Sequence, residues 1–277
     1  MSTLSGTLEV PNASLHYQLR GSGPLLLISE SGEGDADRSR DLIDQLAGTY
    51  TVATYDRRGL SRSRMADPER GATLNEHADD VHRLLAILTD TPARMLGCSL
   101  GAVIGLHAAL LHPDQIHTLV AHEPVAPRLL PKDERSRHEG ELASLQDLYR
   151  RDGLDAVLPH MARTLGIDPT HKNAEPGLTP QPIDERRRAN FDYFIRHDFT
   201  AVIHDNLDPT ALKDARTRVV PAAGLTTPHH VFDRKCADAL STLMGRGTAE
   251  FPGGHNGNTS HPRAHAARLR QILADSD

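Results

Sequence analysis

The sequence contains no tryptophan, and aromatic residues make up only 4% of its 277 residues. It has two cysteines, Cys98 and Cys236, which are too few for a disulfide framework or a zinc motif. No stretch approaches the ~20 apolar residues that span a bilayer, and the N-terminal residues lack the pattern of a signal peptide. We therefore expect a cytoplasmic protein without a membrane partner, whose ligand meets mostly aliphatic, His and Tyr side chains.

The charge pattern also excludes some partners. The net charge is -6, and no long basic run is present, which argues against a nucleic-acid partner. The 17 histidines include the pairs His197-Asp198 and His204-Asp205. These pairs lack the tight spacing of metal motifs, so we interpret most histidines as surface or loop residues and expect no metal site and no cofactor.

Short apolar segments alternate with helical patterns along most of the chain. This βαβα rhythm predicts an α/β fold with a mostly parallel sheet and helices on both faces. After an N-terminal hairpin, continuous apolar runs are typical of strands buried on both sides. The predicted strands are 7–10, 14–19, 25–29, 50–55, 93–96, 118–121, 218–223 and 248–251, and the predicted helices are 40–46, 74–88, 102–111, 232–243 and 262–273.

A segment in the middle of the chain breaks this rhythm. Residues 127–212 are richer in charge, and helical patterns occur at 139–149 and 183–195. Prolines interrupt the segment at Pro159, Pro169, Pro176, Pro180 and Pro182. We predict a helical cap at 127–212, inserted into a core made of residues 1–126 and 213–277.

The strongest chemical signal is the sequence Gly97-Cys98-Ser99-Leu100-Gly101. It matches the G-x-S-x-G nucleophile elbow of α/β-hydrolases, and it lies between a predicted strand and a predicted helix, which is the context the motif requires. The sharp turn exposes the serine hydroxyl at the carboxyl edge of the sheet. Ser99 is therefore the predicted nucleophile.

A serine nucleophile needs a general base. In this fold the histidine follows the last strand, where Pro252-Gly253-Gly254-His255 forms a glycine-rich loop. We predict that His255 is the base. The alternative, His261, immediately precedes Pro262 and is expected to open the final helix.

The acid that orients the histidine is less obvious. The loop after the strand at 218–223 contains no carboxylate. Glu123, however, lies at the carboxyl edge of the strand at 118–121, and some branches of the fold take the acid from that position. We predict that Glu123 is the third member of the triad, with Asp198 and Asp233 as remote alternatives.

Two backbone N–H groups are expected to form the oxyanion hole. One belongs to Leu100, which follows the nucleophile, and the other is assigned to Gly32, with Ser31 or Glu33 possible if the turn is shifted. The acids of this loop, Glu30 and Glu33, are interpreted as facing solvent. Alternatively, they bias the site against anionic substrates.

The chain resembles the α/β-hydrolase superfamily and, within it, the lactonases that open the macrolide ring of zearalenone. In that family the acid is a Glu at a strand end, which implies a triad of Ser99, Glu123 and His255 with Gly32 and Leu100 as oxyanion donors. Those lactonases place a cap tryptophan against the ligand, whereas this chain has none. The stretches that carry the likeness are Gly23-Pro24, the Gly32 loop, Tyr55-Asp56, Gly59 to Ser63, Gly97 to Ala102, His122-Glu123, Pro252 to His255 and Ser260 to Pro262.

The predicted activity is hydrolysis of a small-molecule carboxylic ester or lactone through an acyl-enzyme. Dehalogenase and epoxide hydrolase activities are disfavoured because they use an Asp nucleophile, where this chain has Ser99. Thioester hydrolysis, carbon–carbon bond hydrolysis and perhydrolysis use the same triad and stay open. So does a non-catalytic ligand-binding role on the same scaffold. The oligomeric state is not defined by the sequence.

Overall fold

A computed structural model describes residues 3–167 and 173–275; Pro169, one of the prolines cited above, lies outside them. In this part of the chain a nine-stranded sheet forms, and all strand pairs are parallel except those made by β2. Its order is β1-β2-β4-β3-β6-β7-β8-β9, with β5 paired to β2. The strands are β1 (Thr3–Val10), β2 (Ala13–Arg20), β3 (Leu25–Ser29), β4 (Thr51–Tyr55), β5 (Arg64–Met65), β6 (Ala93–Cys98), β7 (Ile116–His122), β8 (Arg218–Gly224) and β9 (Ala249–Phe251).

Helices cover both faces of this sheet. The helices of the described residues are α1 (Arg40–Leu46), α2 (Leu74–Leu88), α3 (Leu100–Leu111), α4 (Lys132–Asp152), α5 (Leu154–Thr164), α6 (Glu185–Tyr193), α7 (Phe199–Ile203), α8 (Phe232–Met244), α9 (Gly257–Ser260) and α10 (Pro262–Ala274). A π-helical turn, Phe194–Asp198, joins α6 to α7, and short 3-10 turns form at Pro68–Arg70, Pro127–Leu129 and Pro209–Asp214.

The strand β3 shows how the sequence specifies the two apolar layers. All five of its side chains are buried. Because side chains alternate along a strand, Leu25 and Leu27 pack with α2, α3 and α8, whereas Leu26 and Ile28 pack with α1 and α10. A continuous apolar run is therefore what a central strand covered on both faces requires.

These observations confirm the predicted α/β fold. The bounds of β3, α1 and α2 are those predicted, whereas β6 continues through Gly97 to Cys98 and α3 begins at Leu100, so only Ser99 separates them. Helix α5 is absent from the predicted helices, because Pro159 was expected to interrupt a helix. In the structure Pro159 lies inside α5.

Helices α4 to α7 follow β7 and precede β8. Their buried side chains, among them Leu142, Val157 and Phe199, belong to the same apolar cluster as Leu27 of the sheet and Ile104 of α3. The division into a core and a cap at 127–212 stays a prediction. None of the helices in 3–167 and 173–275 combines the length and apolar character needed to cross a bilayer.

Candidate active site

The parallel strands end at one edge of the sheet, and the predicted catalytic side chains are collected there. Ser99 follows β6, Glu123 follows β7, and His255 follows β9. The Gly32 loop follows β3, the neighbour of β6. Residues distant in sequence therefore meet at the carboxyl edge, where open α/β sheets bind their ligands.

Ser99 occupies a strained turn between β6 and α3. Its φ of 55° and ψ of -113° are unusual for a residue that is not glycine. Its backbone N–H donates to the carbonyl oxygen of His122 at 2.9 Å, which ties the turn to β7. The hydroxyl stands at the N-terminus of α3, where the helix dipole favours negative charge.

The two glycines of the motif permit this turn. A Cβ atom on Gly97 would lie 2.6 Å from Cα of Ala102 in α3. A Cβ atom on Gly101 would lie 2.0 Å from the carbonyl oxygen of Ser29 at the end of β3. Both neighbours are backbone atoms, so side chains at these positions would force the strand and helix apart.

Glu123 is fully buried and links two elements. Its Oε2 lies 2.7 Å from Nδ1 of His255, and its Oε1 accepts a hydrogen bond from the N–H of Gly224 at 2.8 Å. Burial alone raises the pKa of this carboxyl, but the hydrogen bond from His255 and the nearby imidazoles outweigh it and lower the pKa to about 2. The group is therefore an anion at neutral pH.

The strand β8 lies between β7, which precedes Glu123, and β9, which precedes His255. The carboxylate of Glu123 must pass the end of β8 to reach His255, and Gly224 is the residue that it passes. A Cβ atom on Gly224 would lie 2.6 Å from the backbone of Gly254. The loop after β8 lacks a carboxylate, and the carboxylate that contacts His255 comes from the end of the neighbouring strand β7.

His255 lies in the turn before α9 and is 5% exposed. With Glu123 as its acceptor, Nδ1 carries the proton, and Nε2 of the neutral ring is free to accept one. Burial lowers the pKa of His255, but Asp233 and Glu123 more than compensate and raise it above its usual value. His261 precedes α10, as expected, and contacts the hydroxyl of Ser260 at 2.9 Å.

A second carboxyl lies beside the same imidazole. Asp233, in the first turn of α8, has Oδ2 3.2 Å from Nδ1 of His255. Burial raises the pKa of Asp233 to about 7, in spite of the opposing effect of His255. Asp233 therefore lies beside the predicted base, whereas the other alternative acid, Asp198, pairs with Arg57 at 2.6 Å.

Arg57 shapes the loop predicted to hold an oxyanion. Its guanidinium donates to the carbonyl oxygens of Ser31 at 3.0 Å and Gly32 at 2.8 Å, while Asp198 neutralises it. The N–H of Leu100, the first residue of α3, has no acceptor within the helix. These fixed peptide groups give the Gly32 loop and the helix start a defined geometry.

The two acids of this loop do not face solvent, so that interpretation was wrong. Glu30 is buried beside Asn258, and burial raises its pKa to about 7. Glu33 is also buried and accepts two hydrogen bonds from Arg187 of α6, at 2.7 and 2.8 Å. The loop that contains Gly32 is thereby connected to the helices above the sheet.

Ser99 and His255 open into one cavity of about 840 Å³ between the sheet edge and these helices. Its wall is largely apolar, and its charged lining residues are Glu33, Arg38, Arg163 and Arg187. Apolar lining residues include Leu158, Met161, Leu165, Ile167, Leu178, Ile183, Phe191 and Phe194. A cavity of this size accommodates a medium-sized organic molecule.

The His-Asp pairs considered for metal binding have other contacts. Asp198 neutralises Arg57, and Asp205 contacts Nε2 of His107 at 2.8 Å. Within 3–167 and 173–275, no three His, Cys, Asp or Glu side chains converge as a metal ion requires.

Sequence reasoning missed Arg57, Arg187 and the closeness of Asp233 to His255. Arg57 follows β4 in a run of two arginines, and nothing in the local pattern separates a buried arginine from an exposed one. Asp233 lies 22 residues before His255 in the chain. Only the packing of α8 against β8 brings the two side chains together.

The fold and this edge of the sheet define the class of α/β-hydrolases. A family model described as the alpha/beta hydrolase fold matches residues 24–202, and the chain belongs to this family. It is 37% identical over 277 residues to the uncharacterized hydrolase YraK of Bacillus subtilis. This alignment covers 99% of this chain and 97% of YraK.

Two further likenesses concern part of the chain or the fold alone. A zearalenone hydrolase of Bionectria ochroleuca is 31% identical over 121 residues, 42% of this chain and 46% of that protein. A solved structure of a hydrolase from Pseudomonas aeruginosa PA01 superposes with a TM-score of 0.72 at 24% identity, covering 97% of this chain and 98% of the other. These likenesses agree with the α/β-hydrolase fold.

Proposed function

We propose that the protein is a serine hydrolase that cleaves a small-molecule carboxylic ester or lactone through an acyl-enzyme. The observation that carries this proposal is the strained Ser99, which opens into the same cavity as a histidine hydrogen-bonded to a buried glutamate. A nucleophile, a base and an acid in this order are the minimum for acyl transfer.

In the proposed reaction, Nε2 of His255 takes the proton of Ser99 as Oγ attacks the substrate carbonyl. The N–H groups of Gly32 and Leu100 stabilise the resulting oxyanion. His255 then gives its proton to the leaving alcohol, and a water molecule, activated in the same way, releases the acid. Glu123 stays ionised throughout and stabilises the imidazolium that forms in both steps.

The cavity supports a substrate with a largely apolar body. Aliphatic side chains of α5 and of residues 174–183, together with two phenylalanines, line the walls around Ser99. The partial likeness to a zearalenone hydrolase makes macrolactones a class to test. The chain has no tryptophan. A macrolactone bound in the cavity would therefore contact mainly the aliphatic side chains of its walls.

The test is hydrolysis of p-nitrophenyl acetate, p-nitrophenyl butyrate, simple lactones and zearalenone by the wild type and Ser99→Ala. We expect turnover of an ester or lactone that falls on the order of 10⁴-fold or more in Ser99→Ala. Ser144→Ala is the matched control, because Ser144 is an exposed serine of α4 that only bonds the carbonyl of Gly140.

A fluorophosphonate probe makes the test independent of the substrate chosen. We expect it to label wild type and Ser144→Ala on Ser99 and to spare Ser99→Ala. Turnover that survives Ser99→Ala, or a wild type that neither turns over nor accepts the probe, would contradict the proposal and favour a ligand-binding role.

A further inference from the structure

The carboxyl of Asp233 is buried beside His255, and no hydrogen bond to another neighbour explains its position. The residue is 0% exposed, and neither carboxyl oxygen has a hydrogen-bond partner within the described residues. Buried polar groups are nearly always hydrogen-bonded, and among the described carboxyls only Asp233 has both oxygens buried and unpaired. It also lies 3.2 Å from the predicted base.

Helix capping does not account for this position. Asp233 is the second residue of α8, where the helix dipole favours an acid. Yet no N–H of the first turn donates to its oxygens. The oxygen Oδ2 instead lies near the nitrogen that donates to Glu123, just outside hydrogen-bonding geometry.

On the basis of the proposed function, we propose that Asp233 is a positioning residue. Its carboxyl is a second hydrogen-bond acceptor, which orients His255 by accepting the Nδ1–H when Glu123 does not. The imidazole has one Nδ1–H and two carboxyls within 3.2 Å of it. A small rotation of the ring exchanges one acceptor for the other. The site therefore contains two acids, one from the end of β7 and one from α8.

The charged and titratable groups around Asp233 are few. Glu123 approaches from β7, and His255 approaches from the turn before α9. On α8 itself, Cys236 donates its Sγ–H to the carbonyl of Ala126, and Arg234 is directed to Asp238 and the carbonyl of Gly224. Because Asp233 and Glu123 both lie beside His255, we expect removal of Asp233 to change the pKa of the imidazole.

The first readout is NMR titration of the His255 imidazole, assigned by its loss in His255→Asn. We expect Asp233→Asn to lower the pKa of His255 by about one unit, because the variant lacks the carboxylate that forms as Asp233 ionises near pH 7 and that favours the imidazolium. Asp79→Asn is the matched control, since Asp79 pairs with His112 at the far end of α3 from Ser99. An unchanged His255 titration in Asp233→Asn would overturn the proposal.

The second readout is a double-mutant cycle. In Glu123→Gln, the N–H of Gly224 holds the amide oxygen, so the amide NH₂ faces Nδ1, and we expect the ring to turn its Nδ1–H to Asp233. We expect kcat for p-nitrophenyl butyrate to fall about 10- to 100-fold in Glu123→Gln, but about 10⁴-fold in Glu123→Gln with Asp233→Asn, the loss typical of a triad without its acid. Asp233→Asn alone should lose less than Glu123→Gln.

Losses that multiply across the cycle, or a full 10⁴-fold loss in Glu123→Gln alone, would overturn the second-acceptor role. If Glu123→Gln does not fold, Glu123→Ala takes its place in the cycle. If the wild type cleaves no ester, the proposed function fails, but the NMR titration still decides whether Asp233 acts on His255.

Discussion

Two of the residues proposed to act have a strained backbone conformation. Among the described residues, four that are not glycine have a positive φ: Asn12, Ser61, Ser99 and Glu123. The last two follow neighbouring parallel strands directly. Such conformations cost of the order of 1–3 kcal/mol each and persist where the surroundings fix them. Here the hydrogen bonds of Ser99 N–H to β7 and of Glu123 N–H to β8 do so, each at 2.9 Å.

Glu30 gives a pH-dependent prediction at the same scale. Its pKa of about 7 in the folded protein exceeds the ordinary 4.5, so the folded state retains a proton that the unfolded state releases between these values. This contribution to stability is complete below pH 4.5 and is lost as pH rises through 7. Glu30→Gln cannot ionise, so we expect it to gain up to about 3 kcal/mol relative to wild type between pH 5 and pH 8.

Urea unfolding at the two pH values measures this difference, with the exposed Glu9→Gln as a control for removing a carboxylate. A gap between wild type and Glu30→Gln that stays constant from pH 5 to pH 8 would show that Glu30 is not held protonated by burial.

At the scale of elements, the close approach of α3 to β3 depends on a missing side chain. Gly101→Ala places a methyl group 2.0 Å from the carbonyl oxygen of Ser29. Overpacking of this kind costs about 1–3 kcal/mol, so we expect a lower Tm together with reduced labelling of Ser99 by a fluorophosphonate probe.

Gly140→Ala is the matched control for this element. Gly140 lies in α4 with no other atom near its hypothetical Cβ, so the same substitution is expected to stabilise the helix by about 1 kcal/mol. Thermal unfolding of both variants separates the two effects. Equal Tm changes in the two variants would contradict the steric argument.

The sequence predicted elements well where one pattern decides the outcome. The run Leu25 to Ser29 has no polar interruption, and the glycine motif around Ser99 lies between a strand and a helix. Prediction from the sequence failed where a contact forms only after several elements have packed together. Helix α5 forms in spite of Pro159, and Asp233 meets His255 only because α8 packs beside β8. The local spacing of residues in one sequence does not reveal contacts between residues that are far apart along the chain.

At the scale of the whole molecule, ion pairs join the Gly32 loop to helix α6 above it, and the pair of Arg187 with Glu33 is more buried than the pair of Arg186 with Asp35. Arg187 makes two parallel hydrogen bonds to Glu33, a geometry that lysine cannot reproduce. We expect Arg187→Lys to raise KM about 5-fold or more with a smaller change in kcat, because the cavity wall loses a fixed position.

The adjacent Arg188→Lys is the control, since Arg188 pairs with Asp155 at 2.8 Å on the exposed side of the same helix. Steady-state kinetics on the ester identified above compares the two variants. The same KM in both would show that the Glu33 contact does not position the cavity wall.

The apolar cluster that α4 to α7 share with α2, α3 and the sheet has a consequence for how such proteins diversify. Leu142, Val157 and Phe194 are packed in one cluster with Leu27 and Ile104. Exchange of residues 127–212 for the corresponding segment of another hydrolase would therefore leave a poorly matched apolar surface on both sides. New substrate preferences in this lineage are expected to arise by single replacements at cavity-facing positions such as Leu165 and Ile167, not by recombination of whole segments.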